Sequence, residues 1–96
     1  MDARVLSAIR EVRYELKEPG SKWPRGRFEQ QSYSRWAINE LIFYIYKSEP
    51  MPTIQAVEEF IRKMDDYSCR SQHTSFAFSV AHDIAVSVLD ILIAMN

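Results

Sequence analysis

The sequence predicts an all-α fold, an antiparallel four-helix bundle with a long basic-aromatic loop between helices one and two. Three observations carry that prediction. Apolar residues recur at 3–4 spacing along four separate segments, the signature of helices with a buried stripe. The chain has only 2 Gly and 4 Pro, with both Gly before residue 27. A sandwich or small barrel needs a turn signal about every 8–12 residues, and those are missing here. Finally, 47% hydrophobic and 26% charged residues place the chain among folded proteins, and 96 residues suffice for a single domain.

Helix one is expected over residues 2–18, where Val5, Leu6, Ile9, Val12 and Leu16 form one stripe. Pro19-Gly20 ends it, and residues 19–28 read as a loop holding both Gly and two of the four Pro. Helix two is expected over 30–48. Tyr33, Ala37, Ile38, Leu41, Tyr44 and Ile45 fill one broad face, while Trp36 and Phe43 make a second strip beyond Glu40 and Lys47. Apolar on most sides, this helix reads as buried. Glu49-Pro50-Met51-Pro52 is a stiff connector, because each Pro disfavours helix in the residue before it.

Helix three is expected over 53–69, with Thr53 as N-cap and Ile54, Val57, Phe60, Ile61, Met64 and Tyr67 on one side. Its outer charges pair at i,i+4: Glu58 with Arg62, Glu59 with Lys63, and Asp66 with both Arg62 and Arg70. Thr74 or Ser75 caps helix four, expected over 75–95. That helix is apolar apart from His82 and a polar strip of Ser79, Asp83, Ser87 and Asp90. It has the length of a membrane span, but two carboxylates in mid-span are costly in lipid, so it reads as a soluble core helix. Helices two and four form the expected apolar centre, and one and three cover them. That much apolar surface strains a small domain, so a homodimer through helix two or four is expected.

The function classes narrow by exclusion. One cysteine forms no internal disulfide, and the start Met1-Asp2-Ala3-Arg4 leads into no hydrophobic signal core, so a cytoplasmic protein is expected. There is no P-loop, no GxGxxG, no GxSxG, no HExxH and no CxxC. Asp65, Cys69 and His73 stand at i, i+4 and i+8, yet Arg70-Ser71-Gln72 reads as a turn and no fourth ligand follows. Neighbours on a helix point about 100° apart, which argues against an acid–base dyad of His82 and Asp83. No enzyme, cofactor or metal is expected. On helix one, Glu11 meets Glu15 and Arg13 meets Lys17 at i,i+4. Those like charges make Arg10, Arg13 and Lys17 secondary candidates for outside partners.

The overall charge of −1 conceals a polarity: residues 1–35 carry eight basic and five acidic side chains, and 36–96 carry four and eight. Eight of the twelve aromatics lie between Tyr14 and Tyr46. Basic and aromatic residues interleave most densely at Lys22, Trp23, Arg25, Arg27, Phe28, Arg35 and Trp36, the candidate partner-binding residues. Arg, Trp and Tyr are the side chains that protein interfaces favour. The same mixture suits single-stranded nucleic acid, with cations on phosphates and rings on bases. The segment could also simply fold back on its own bundle.

The phrases Tyr33-Ser34-Arg35-Trp36-Ala37-Ile38-Asn39-Glu40-Leu41, Ala56-Val57-Glu58-Glu59-Phe60, Tyr67-Ser68-Cys69 and Phe78-Ser79-Val80-Ala81 resemble short uncharacterised proteins of bacterial phages and mobile elements. The resemblance spans about residues 30–93, carries no diagnostic motif and implies no activity or site residue. It implies a cytoplasmic accessory or regulatory protein. The expected function is therefore a non-enzymatic protein–protein interaction module, with nucleic-acid binding through segment 22–36 as the alternative.

Overall fold

Each of the four segments folds as a helix. The computed structural model describes residues 3–17, 28–70 and 75–95, which form α1 (Ala3–Lys17), α2 (Phe28–Ser48), α3 (Thr53–Arg70) and α4 (Ser75–Ala94), with no strand among the described residues. The helix ends fall within two residues of expectation. Phe28, expected as the last loop residue, is instead the first residue of α2, while 19–27 lie outside the described residues. Nothing between Phe28 and Tyr33 breaks a helix: Glu29-Gln30-Gln31-Ser32 holds neither Gly nor Pro, and Gln and Glu are good helix formers.

Connector 49–52 turns tightly, with the Met51 amide donating to the Ser48 carbonyl at 2.9 Å and a cis Glu49–Pro50 peptide. The Ala56 amide donates to the Pro52 carbonyl at 3.0 Å. Pro52 therefore holds the cap position, and Thr53 is the first helical residue rather than the N-cap expected from its hydroxyl. Connectors of four residues, 49–52 and 71–74, join helices that pack on each other, which sets each successive pair antiparallel.

One core runs through all four helices. It takes Val5, Ala8, Ile9 and Val12 from α1; Ala37, Ile38, Leu41 and Ile45 from α2; Ala56, Val57, Phe60 and Met64 from α3; and Val80, Ala81, Ile84, Ala85, Val88 and Leu92 from α4. The expected pairing of two central helices needs correction. α4 alone is the hub, packed on α1, α2 and α3, and α1 rests chiefly on α4. The reason is composition: α4 offers small or β-branched residues on most of its circumference, so neighbours can approach from several sides. α2 cannot serve equally. One face is buried, but Asn39, Glu40 and Lys47 keep the other in solvent and carry Phe43 and Tyr46 out with them.

The polar strip of α4 also divides. Asp83 and Asp90 are exposed, Ser79 is half-buried, and Ser87 is buried among the core residues at 5% exposure. Ser87 stands at the edge of the strip nearest Val80 and Ile84, and its small side chain fits where a carboxylate would not. By length and composition the window Ala77–Ala94 of α4 could cross a membrane, with mean hydropathy 1.8 and 39% of its residues buried.

Between α2 and α3 the contact is partly polar. The Tyr44 hydroxyl donates to Glu59 Oε2 at 3.2 Å, and its ring meets Phe60 edge-on at 5.7 Å. Lys63, expected beside Glu59, instead lies 5.0 Å above the Tyr44 ring, while Arg62 reaches Glu59 at 3.7 Å. A ring face offered by a neighbouring helix competes well with a half-buried carboxylate one turn away that already accepts from Tyr44.

Candidate functional site

The start of α2 decides where the basic-aromatic residues can act. Residue 27 is bonded to Phe28, so the segment holding Lys22, Trp23, Arg25 and Arg27 joins the bundle at the N-terminal end of α2. Those four residues lie outside the described part, as does the side chain of Phe28. Arg35 and Trp36 are placed, two turns further on. Arg35 is exposed and Trp36 half-buried, so of the seven candidates these two stand where the helix meets solvent.

Trp36 does not point into the core alone. Its ring meets Phe78 of α4 edge-on at 6.0 Å, and Phe78 in turn packs against Tyr67 of α3 at 5.3 Å. Just beside this row, Ser68 Oγ and Ser79 Oγ share a hydrogen bond of 3.2 Å. The beginning of α2, the end of α3 and the beginning of α4 are thus fastened by three aromatic rings and a hydroxyl pair. The row runs from half-covered Trp36 to Tyr67, which is 42% exposed. Rings held by neighbours have little rotamer freedom left to lose on binding, which favours recognition.

Comparison with protein-family models, with curated proteins and with solved structures finds no match to this chain. The functional reading therefore rests on its own residues.

Further along α2 the exposed face continues through Asn39, Glu40, Phe43, Tyr46 and Lys47. Phe43 is 65% exposed and Tyr46 55%, one turn apart on the same side. Sequence reading treated Phe43 as part of a buried helix and missed it as a surface group. The signal was present, since Phe43 falls between Glu40 and Asn39 on the helical wheel, where both flanks are polar.

His82 and Asp83, judged too divergent to form a dyad, do meet: the Nδ1–H of His82 donates to Asp83 Oδ1 at 3.1 Å. Divergence of about 100° applies to the Cα–Cβ bonds, and rotation about the side-chain bonds closes the remaining gap at the helix surface. Both groups are open to water, with side-chain exposures of 33% and 63%. Such a pair orients an imidazole at the helix surface. Cys69 is an exposed free thiol near the end of α3, and among the described residues no three His, Cys, Asp or Glu side chains gather as metal ligands. Of the secondary candidates on α1, Arg10 and Arg13 are exposed beside Tyr14, which is 66% exposed, and the side chain of Lys17 lies outside the described part.

Proposed function

We propose that this chain is a non-enzymatic interaction module: a cytoplasmic accessory or regulatory protein of a phage or mobile element that binds another protein. Contact is made by segment 22–36, with Lys22, Trp23, Arg25, Arg27 and Phe28 leading into Arg35 and Trp36, and the module works as a homodimer. The observation that carries the reading is the braced row Trp36–Phe78–Tyr67, with exposed Arg35 adjacent to Trp36 in sequence, two turns along the helix that segment 22–27 leads into. A cation beside partly covered aromatic rings is the composition of a protein-interface hot spot. The phage or mobile-element origin rests on the resemblance of residues 30–93 alone.

The test is capture from lysate of the native host by the wild-type chain and by the double variant Trp23→Ala/Arg25→Ala. A specific protein retained by the first and lost with the second is the expected result. Titration with single-stranded DNA and RNA across a salt series runs beside it. Affinity falling linearly with log salt, together with capture that ignores the double variant, would replace this reading by nucleic-acid binding.

A further inference from the structure

We propose that two copies of this chain pair through the outer face of α2, antiparallel and two-fold symmetric, with Phe43 at the axis. The inference deepens the homodimer reading above and is independent of which protein segment 22–36 captures.

Two large aromatics left open side by side are the first part of the argument. Single exposed apolar residues are ordinary, but Phe43 and Tyr46, at 65% and 55%, sit one turn apart and make a continuous strip. Glu40 and Lys47 flank this strip, and both are exposed. Neither makes an ion pair among the described residues. Seven residues apart on one helix, their backbones are separated by about 10 Å, so they do not serve each other.

A second copy resolves both features at once. Phe43 and Tyr44 fall at the midpoint between residues 40 and 47. A two-fold axis crossing α2 there sets Glu40 of one copy opposite Lys47 of the other, and the converse, with the Phe43 rings meeting between the two ion pairs. Tyr46 of each copy then falls over Asn39 and Glu40 of the other. An isologous contact needs a patch complementary to itself, and this one is so in charge. Parallel alignment would set Glu40 beside Glu40 and Lys47 beside Lys47, which fixes the antiparallel sense.

The rival surface fails the same test. α4 leaves Ile93 55% and Met95 42% exposed beyond half-buried Val86 and Leu89. Its flanking charges are Asp83 and Asp90, and residues 75–94 contain neither Lys nor Arg. A two-fold contact centred on Val86 and Ser87 would face Asp83 with Asp90, twice, with no cation to relieve them. Like charges across an interface are how wrong partners are rejected.

Sedimentation equilibrium of the full chain over micromolar concentrations, with helix content checked by circular dichroism, decides the matter. Wild type is expected at twice its 11.3 kDa. Glu40→Lys alone gives ammonium–ammonium contacts and Lys47→Glu alone gives carboxylate–carboxylate contacts. Each should weaken self-association about tenfold or more, since both pairs change from attraction to repulsion. Mixed in equal amounts, the two variants restore both pairs. At one end of the contact the two substituted side chains face each other with their signs exchanged, and at the other end the native Glu40 and Lys47 meet. A heterodimer should therefore form with near wild-type affinity. Misfolded variants would not rescue one another. Phe43→Ser should abolish the dimer and Ile93→Ser should leave it intact. A wild-type monomer throughout the range, a mixture no tighter than its components, or a dimer lost with Ile93→Ser but not with Phe43→Ser overturns the proposal. Capture of a heterologous partner by segment 22–36, if retained in Phe43→Ser, leaves the interaction reading standing even then.

Discussion

Leu41 and Phe43 stand two residues apart on α2, and hydropathy alone ranks them together. The structure separates them: Leu41 is 0% exposed and Phe43 65%. Leu41→Ala removes a side chain touching the core on all sides, which costs the transfer of the lost atoms and leaves a cavity. Such substitutions lose about 3 kcal/mol, and up to about 5 where the site cannot collapse. A chain of 96 residues has about 5–14 kcal/mol of stability in total, so this one change removes a large share and lowers Tm by about 12 °C or more. Phe43→Ala is a different matter. Full burial of Phe contributes at most about 3 kcal/mol, and only about a third of this residue is covered, giving a loss of about 0.5–1. Alanine returns about 0.5 kcal/mol through helix propensity, and the net falls near zero. Urea unfolding of both variants measures this, at a protein concentration where each is monomeric, because association adds to apparent stability. A loss in Phe43→Ala equal to that in Leu41→Ala, or a loss below about 1 kcal/mol in Leu41→Ala, would refute the assignment of inner and outer faces on α2.

Two other substitutions probe the remaining packing decisions. Tyr44→Phe keeps the ring against Phe60 and beneath Lys63 but deletes the donor to Glu59. A loss of about 1 kcal/mol is expected, and a double-mutant cycle with Glu59→Met, which removes the acceptor at similar length, should return most of it as coupling; a coupling of zero would show the hydroxyl bonded elsewhere. Ser87→Asp would be tolerated if Ser87 belonged to a solvated strip with Asp83 and Asp90. Since Ser87 is 5% exposed, the carboxylate is buried without a counter-charge and should cost about 3 kcal/mol or more in thermal or urea unfolding. Unchanged stability would place it back on the surface.

What was legible in the sequence follows a physical divide. Helical spacing is a local property, and the stripe Val5, Ile9, Val12 and the series Val57, Phe60, Met64 announced both the helices and their inward faces. Where a helix has a single apolar stripe, periodicity is enough. α2 has two, and nothing within the helix states which one neighbours will cover; that depends on α3 and α4 arriving on one side only. Ser87 escaped for the same reason, since the edge of a polar strip is inside or outside according to where the adjacent helix lies. His82 and Asp83 were misjudged because backbone direction stood in for side-chain reach. Arg35 and Trp36 were singled out by composition, and the structure places the first exposed and the second half-buried. The bracing of Trp36 by Phe78 and Tyr67 joins residues about forty positions apart and could not be read from spacing.

The apolar excess of this chain is resolved unequally, and the charges beside each remnant determine its use. α4 spends most of its circumference on three neighbours and borders its open remainder, Ile93 and Met95, with carboxylates alone. α2 leaves more aromatic surface open and borders it with one carboxylate and one ammonium at a separation that a two-fold axis matches. Equal hydrophobicity on the two helices would give no preference between them as surfaces for a second copy. Sign does, because repulsion between fixed like charges acts against one arrangement while attraction supports the other. The polarity of the whole chain extends the argument. The basic first third carries its surplus into the start of α2, whereas α3 is nearly balanced, with four carboxylates against three cations, and α4 carries Asp83 and Asp90 with no Lys or Arg. An acidic partner drawn to segment 22–36 would therefore meet the aromatic row at Trp36 while being turned away from the outer strip of α4, where Asp83 and Asp90 stand exposed with no Lys or Arg on that helix.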